Sequence, residues 1–137
     1  MESAGVHRMP ENTTYKNLET WQIAMDLVEQ VYRSTAGFPP SELYGLATQL
    51  RRAAVSIPSN VAEGCCRKLT KVYINHVSIA LGSHAEIETC IEVSARLGFL
   101  TNAEKRGLLV VCDSVGRLLN GLYKSLQIKL AQEEERD

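Results

Sequence analysis

The chain has 137 residues, 45% of them apolar and 23% charged, which excludes a disordered or fibrous protein and suits one domain with its own core. Aromatic residues make up only 6%, so the core must come from Leu, Ile, Val and Ala, which favours helices. The formal net charge of -1 excludes a strongly basic domain that would hold nucleic acid by bulk charge; leaving out Glu133, Glu134, Glu135, Arg136 and Asp137 turns that net into +2.

Residues 1–14 are polar and aperiodic, with Pro10, Asn12, Thr13 and Thr14, and are expected to form an unstructured leader. The N-terminus lacks a basic start followed by an apolar run, so no secretory signal is expected. The run from Leu108 to Cys112 is too short to span a membrane. Cys65, Cys66, Cys90 and Cys112 are therefore expected to stay reduced in a cytoplasm.

A first helix is predicted from about Leu18 to Ala36, because Trp21, Met25, Val28 and Tyr32 recur at helical spacing with Ala24 and Leu27 beside them. Gly37 stops it, and Pro39-Pro40 makes a short stiff connection. A second helix is predicted from Pro40 or Ser41 to about Glu63, with Glu42 at the positive end of its dipole and Gly64 as its C-terminal cap. Pro58 lies inside it, removes one amide donor and crowds the Ala54 carbonyl, so a kink is predicted.

A turn with Arg67 and Lys68 leads to a third helix, which Thr70 is expected to cap. Its inner face is Val77, Leu81, His84 or Ile87, Ile91 and Ala95, and it ends near Gly98. Thr101 and Glu104 have the spacing of a capping box. The fourth helix follows through Leu108, Val111, Val115, Leu118, Leu119, Leu122 and Leu126, and is expected to fray into an acidic tail over 132–137. No strand alternation competes. The reading is an all-α, antiparallel up-down-up-down four-helix bundle over residues 15–131.

The second helix carries an unusual polar stripe. Ser56, Asn60 and Glu63 share one face and Arg52 extends it by a turn. If the second and third helices are antiparallel about residue 67, Arg52 lies level with Gly82 and Ser83, one turn from Glu86, and Asn60 lies near Ile74 to His76. Gly82 costs about 1 kcal/mol in a helix interior, a cost that close approach of the two helices would offset. Arg52, Ser56, Asn60, Glu63, Ser83 and Glu86 are read as a structural polar network, with an Arg52–Glu86 ion pair inside it.

No catalytic constellation stands out. The histidines are His7, His76 and His84, and none has an acid three residues before it, as di-iron bundles require. His84 and Glu88 share a helical face but close no site, so no metal and no cofactor are expected. Cys65-Cys66 beside Arg67 and Lys68 lacks the spacing of a redox pair and is read as small residues filling a turn. No phosphate-cradling loop, dinucleotide fingerprint or nucleophile triad is present, so no enzyme is expected. What remains is electrostatic. Arg51, Arg67, Lys68 and Lys71 are candidate phosphate contacts for RNA or DNA, salt-sensitive and blind to sequence. A solvated helix end explains the same charges in a protein-interaction module without nucleic-acid affinity.

The run Phe38-Pro39, Glu42, Tyr44-Gly45-Leu46, Gln49-Leu50-Arg51-Arg52-Ala53-Ala54, Ser56-Ile57-Pro58 and Asn60-Val61-Ala62-Glu63-Gly64 resembles the four-helix-bundle proteins of the 23S ribosomal RNA intervening-sequence family. Leu18-Glu19, Trp21-Gln22 and Ala24 in the first helix, and Gly82-Ser83 with Glu86 in the third, extend the resemblance over about Tyr15 to Leu126. It implies fold more than activity. The family is similar to the accessory variability proteins of diversity-generating retroelements, so the resemblance implies a bacterial, non-enzymatic homopentamer that binds nucleic acid or scaffolds a nucleic-acid enzyme. It carries over no catalytic residue. Val61 stands where isoleucine is frequent, and Cys65-Cys66 replaces small polar residues.

Overall fold

The structure, a computed structural model, describes residues 14–136. The expected leader lies outside the described residues apart from Thr14. A short 3-10 turn at Tyr15–Asn17 leads into α1 (Glu19–Thr35), and a second at Pro40–Glu42 precedes α2 (Leu46–Cys66). Then come α3 (Thr70–Arg96) and α4 (Asn102–Arg136). The described residues contain no strand. Each helix packs on the next in the chain, and α4 closes on α1. Contacts run in opposite directions along each successive pair. Thr35 meets Arg51 while Trp21 shares a depression with Ala62. Gln49 meets Glu86 while Asn60 meets His76, and Glu92 meets Lys105 while Thr70 meets Glu133.

The core runs the length of the bundle. Leu27, Val31, Leu50, Ile57, Val61, Val77, Ile87, Ile91, Val115 and Leu119 are fully buried, with Ala24, Ala54, Ala80 and Cys112 filling the narrower levels. At one end Phe38 and Phe99 close it with ring centroids 5.7 Å apart. On α1 the core stripe is Thr20, Ala24, Leu27, Val31 and Thr35. The bulkier row Trp21, Met25, Val28 and Tyr32 sits about one residue round the helix and is only partly covered, with Met25 38% and Tyr32 45% exposed. Small side chains let the backbones approach, so they take the interior.

Several boundaries differ from those expected. α2 begins at Leu46, not at Pro40 or Ser41, because the chain first makes a separate 3-10 turn. Glu42 still acts at the positive helix end: its Oε1 accepts from the Leu46 amide at 3.1 Å. α2 passes without interruption through Pro58, which is buried. Gly64 is not a cap. It is a buried helical residue, and α2 continues to Cys66. A Cβ on Gly64 would stand 2.7 Å from Tyr73 Cδ1 and 2.9 Å from His76 Cβ, so this glycine lets α2 and α3 touch. Gly82, the position expected to do so, is exposed, and a Cβ there would meet nothing.

Thr70 is the first residue of α3, and Leu69 holds the cap position. The Thr70 hydroxyl donates instead to Glu133 Oε2 at 2.9 Å. That bond is one reason the acidic end of α4 does not fray: the helix runs to Arg136. At the other end the capping box forms as expected. The Glu104 amide donates to Thr101 Oγ1 at 3.1 Å, and the Thr101 amide donates to Glu104 Oε1 at 2.9 Å. Gly98 ends the α3 region with φ +81°, a conformation that favours glycine. Among the described residues no helix is long and apolar enough to cross a membrane.

Candidate nucleic-acid interface

The connection between α2 and α3 is Arg67, Lys68 and Leu69. The Arg67 amide donates to the Gly64 carbonyl at 3.1 Å, and the Val72 and Tyr73 amides both donate to the Leu69 carbonyl at 3.1 Å. This pinned backbone turns Arg67, Lys68 and Lys71 outward. All three are exposed, and none forms an ion pair with the described residues. The same end receives the last turn of α4 through the Thr70–Glu133 bond, which brings Glu134 and Glu135 to it as well. These carboxylates lower the potential that the three cations present to a phosphate.

Arg51 does not join that group. Its Nε donates to Thr35 Oγ1 at 2.8 Å, and its guanidinium lies 4.6 Å from the centre of the Tyr32 ring. The Thr35 hydroxyl in turn donates to the Val31 carbonyl at 2.7 Å. Arg51 thus fastens α2 to α1, and it lies about 24 Å along the helix from Arg67. The four cations singled out by sequence do not make one patch.

The polar stripe forms a half-buried seam between α2 and α3. Ser56 Oγ and Ser83 Oγ are 2.8 Å apart. Asn60 Nδ2 donates to the Ser56 carbonyl at 2.9 Å and to Ser56 Oγ at 3.1 Å. Asn60 Oδ1 accepts from His76 Nδ1 at 3.0 Å, so the register that set Asn60 near His76 holds. Glu63 is exposed, with Oε2 4.0 Å from His76 Nδ1. The expected Arg52–Glu86 ion pair does not form. Glu86 Oε2 accepts from Gln49 Nε2 at 3.2 Å, while Arg52 is exposed and makes no hydrogen bond or ion pair with the described residues. The physical reason is that Gln49, one turn earlier on α2, takes the Glu86 carboxylate and Ser56 takes Ser83, which leaves the Arg52 side chain in solvent. What opens instead is a groove of about 550 Å³ lined by Tyr44, Gln49, Arg52, Ser56, Ser83 and Glu86. A second depression of about 550 Å³ lies across α2, between Tyr32, Thr48, Arg51, Arg52 and Val55.

Burial works against a thiolate at Cys65, Cys90 and Cys112. Burial pushes the Cys65 thiol up, against a lowering hydrogen bond from Tyr73, and the Tyr73 hydroxyl is raised in turn by its burial and by Cys65. Cys90 is raised by burial and by Glu86, and Cys112 is pushed up to about 12, chiefly by burial and then by Glu88. His84 Nε2 donates to the Cys112 carbonyl at 2.7 Å, over Gly116, and its Nδ1 lies 3.6 Å from Glu88 Oε1. Both described histidines are thus engaged in helix packing. No group of three or more His, Cys, Asp and Glu side chains among the described residues is placed to hold a metal ion, and His7 lies outside them.

Residues 16–121 match the family model of the 23S rRNA-intervening sequence protein. The chain belongs to that family. The matched span takes in the polar seam and the basic turn but stops short of the acidic end of α4. A solved protein of unknown function from the S23 ribosomal protein family of Bacteroides thetaiotaomicron is similar in fold, with a TM-score of 0.69 at 18% identity over 77% of this chain and 98% of that one. Among curated proteins none matches. Neither the family nor its solved relative brings a known reaction, so the site must be read from its own geometry.

Three residues of this family member were not assigned to the site by sequence reasoning. His76 completes the seam, and the antiparallel register already put it level with Asn60. Gln49 takes Glu86, which no spacing announces. Tyr44 is 92% exposed; in the chain it reads as part of a helix start, and only the position of Gly45 as the cap residue of α2 leaves its ring outside.

Proposed function

We propose that this bundle is a self-assembling scaffold that binds RNA or DNA through phosphate contacts at Arg67, Lys68 and Lys71, in itself non-enzymatic. The observation that carries the reading is that all three cations are exposed and none is taken by a carboxylate, although glutamates stand at the same end. Three contacts make a weak site in one copy. Repetition in a ring, five copies by the likeness to the accessory variability proteins, multiplies the field. Binding of structured RNA followed by anisotropy at several salt concentrations tests this. Affinity falls steeply with salt, and the Arg67→Ala, Lys68→Ala double variant lowers the slope of log affinity against log salt by about 2. Unchanged affinity in that variant removes this turn as the contact.

A second reading, a protein-interaction module without nucleic-acid affinity, is favoured by a different observation. Gly82, Gly107 and Gly121 are exposed in helix interiors with nothing within reach of a Cβ, and Ile79, Val110 and Ile128 lie exposed on the same two helices at 47%, 67% and 57%. Nothing within one chain requires those residues. Absence of RNA binding at low salt, together with a stable oligomer by light scattering, would select this reading.

A further inference from the structure

Arg52 is the one member of the seam without a partner among the described residues, and it lines two depressions, each also lined by an exposed tyrosine. On the α3 side is Tyr44, whose ring is 92% exposed. On the α1 side is Tyr32, 45% exposed, with the Arg51 guanidinium over its ring. Arg51 takes a face of the Tyr32 ring, so the open pair is Tyr44 and Arg52, an aromatic face beside a free guanidinium, which matches the base and phosphate of one nucleotide. Stacking on aromatic rings with a cation on the backbone is how single strands are held without a duplex groove.

The floor of the α3-side groove fits a base edge. Glu86 presents carboxylate oxygens beside the Gln49 amide, and Ser56 and Ser83 add two hydroxyls. A carboxylate repels phosphate, so the phosphate belongs on Arg52 and the base toward Glu86. A carboxylate accepts from an exocyclic amino group, which cytosine, adenine and guanine carry and uracil and thymine lack.

We propose that the Tyr44–Arg52 ridge at the start of α2 binds one nucleotide of single-stranded nucleic acid, with an amino-bearing base stacked on Tyr44 toward Glu86 and its phosphate on Arg52. This rests on the nucleic-acid reading above but uses a separate surface, about 22 Å along α2 from the basic turn.

The test uses the full chain and labelled oligocytidine, oligouridine and a duplex of equal length, with Tyr44→Ala, Arg52→Gln and Glu86→Gln variants. Tyr44→Ala is expected to weaken oligocytidine binding about ten-fold, in line with the loss of one stacked base. Duplex binding stays unchanged. Arg52→Gln lowers the salt slope by about 1, and Glu86→Gln narrows the gap between oligocytidine and oligouridine. All three positions are exposed, so circular dichroism should stay that of the parent. Variants that bind oligocytidine like the parent, while the Arg67→Ala, Lys68→Ala protein loses affinity, overturn the ridge and leave the basic turn standing. A change of oligomeric state in Tyr44→Ala or Arg52→Gln also overturns it, because the groove would then be an interface between copies. No binding of any nucleic acid at low salt overturns both proposals.

Discussion

Gly64→Ala is the sharpest test of how α2 and α3 are held. In an open helix the change stabilises by about 1 kcal/mol, since glycine is the poorer helix former. Here the new Cβ would sit 2.7 Å from Tyr73 Cδ1, 3.3 Å from Tyr73 Cε1 and 2.9 Å from His76 Cβ. Carbon atoms pack at about 3.5–4.0 Å, so something must retreat by roughly 0.7 Å. Rotating the Tyr73 ring leaves the His76 contact untouched. The position of His76 Cβ is fixed by the α3 backbone and does not change with rotamer, so relieving it moves α3. That movement stretches the Asn60–His76 bond from 3.0 Å and the Ser56–Ser83 bond from 2.8 Å. Overpacking of this kind costs about 1–3 kcal/mol, and a strained hydrogen bond adds about 1 kcal/mol. Set against the gain in propensity, the net expectation is a loss of about 2 kcal/mol. Gly121→Ala is the control, because nothing lies near its Cβ, and it should gain about 1 kcal/mol. Guanidinium unfolding followed by circular dichroism, at one fixed protein concentration, measures both. A Gly64→Ala protein as stable as Gly121→Ala would refute the close approach.

Ser94 is fully buried and its hydroxyl has no partner among the described residues, so Ser94→Ala should raise stability by about 1 kcal/mol in the same assay. Thiol labelling at mildly alkaline pH should modify Cys66 fast, because it is exposed, and Cys90 and Cys112 only as slowly as the bundle opens; fast reaction of all four cysteines would contradict the packing. Cys112 holds its proton up to about 12 when folded, against a reference of 9.0. The unfolded chain therefore releases that proton first, and stability present below about pH 9 is lost as pH rises toward 12, by up to about 1.4 kcal/mol per pH unit. Cys112→Ala should flatten that alkaline decline.

Fold class was legible in the chain because helical periodicity is local. The aliphatic rows of α3 and α4 and the Thr101–Glu104 box needed only spacing and cap chemistry. Register was legible in part, since a three-residue link between two helices leaves little freedom: it brought Asn60 to His76, but Ser83, expected level with Arg52, meets Ser56. Which of two adjacent rows on α1 faces inward was not legible. Trp21, Met25, Val28 and Tyr32 are the more hydrophobic row, yet the interior takes Ala24, Leu27 and Val31, because interhelical distance is settled by all four helices together. The glycines show the same divide. Gly64, Gly82 and Gly116 look alike in sequence, and only the neighbour across the contact decides that the first and last sit against a side chain while Gly82 faces open space.

Charge behaved likewise. Sequence placed Arg51, Arg67, Lys68 and Lys71 on one helix and its following turn; Arg51 lies in α2 and Arg67 and Lys68 on the turn, but Lys71 is already in α3. Whether a cation is free depends on what another helix brings to it. Arg51 is taken by Thr35 and Tyr32, Arg52 is left free because Gln49 reaches Glu86 first, and the acidic tail becomes the last turn of α4 against the basic turn. The chain by itself determined the helices, their order and the Thr101–Glu104 cap, which follow from interactions within a few residues. The tertiary structure alone decided which polar groups are spent on packing and which remain to meet a partner, because those contacts join residues far apart in the chain.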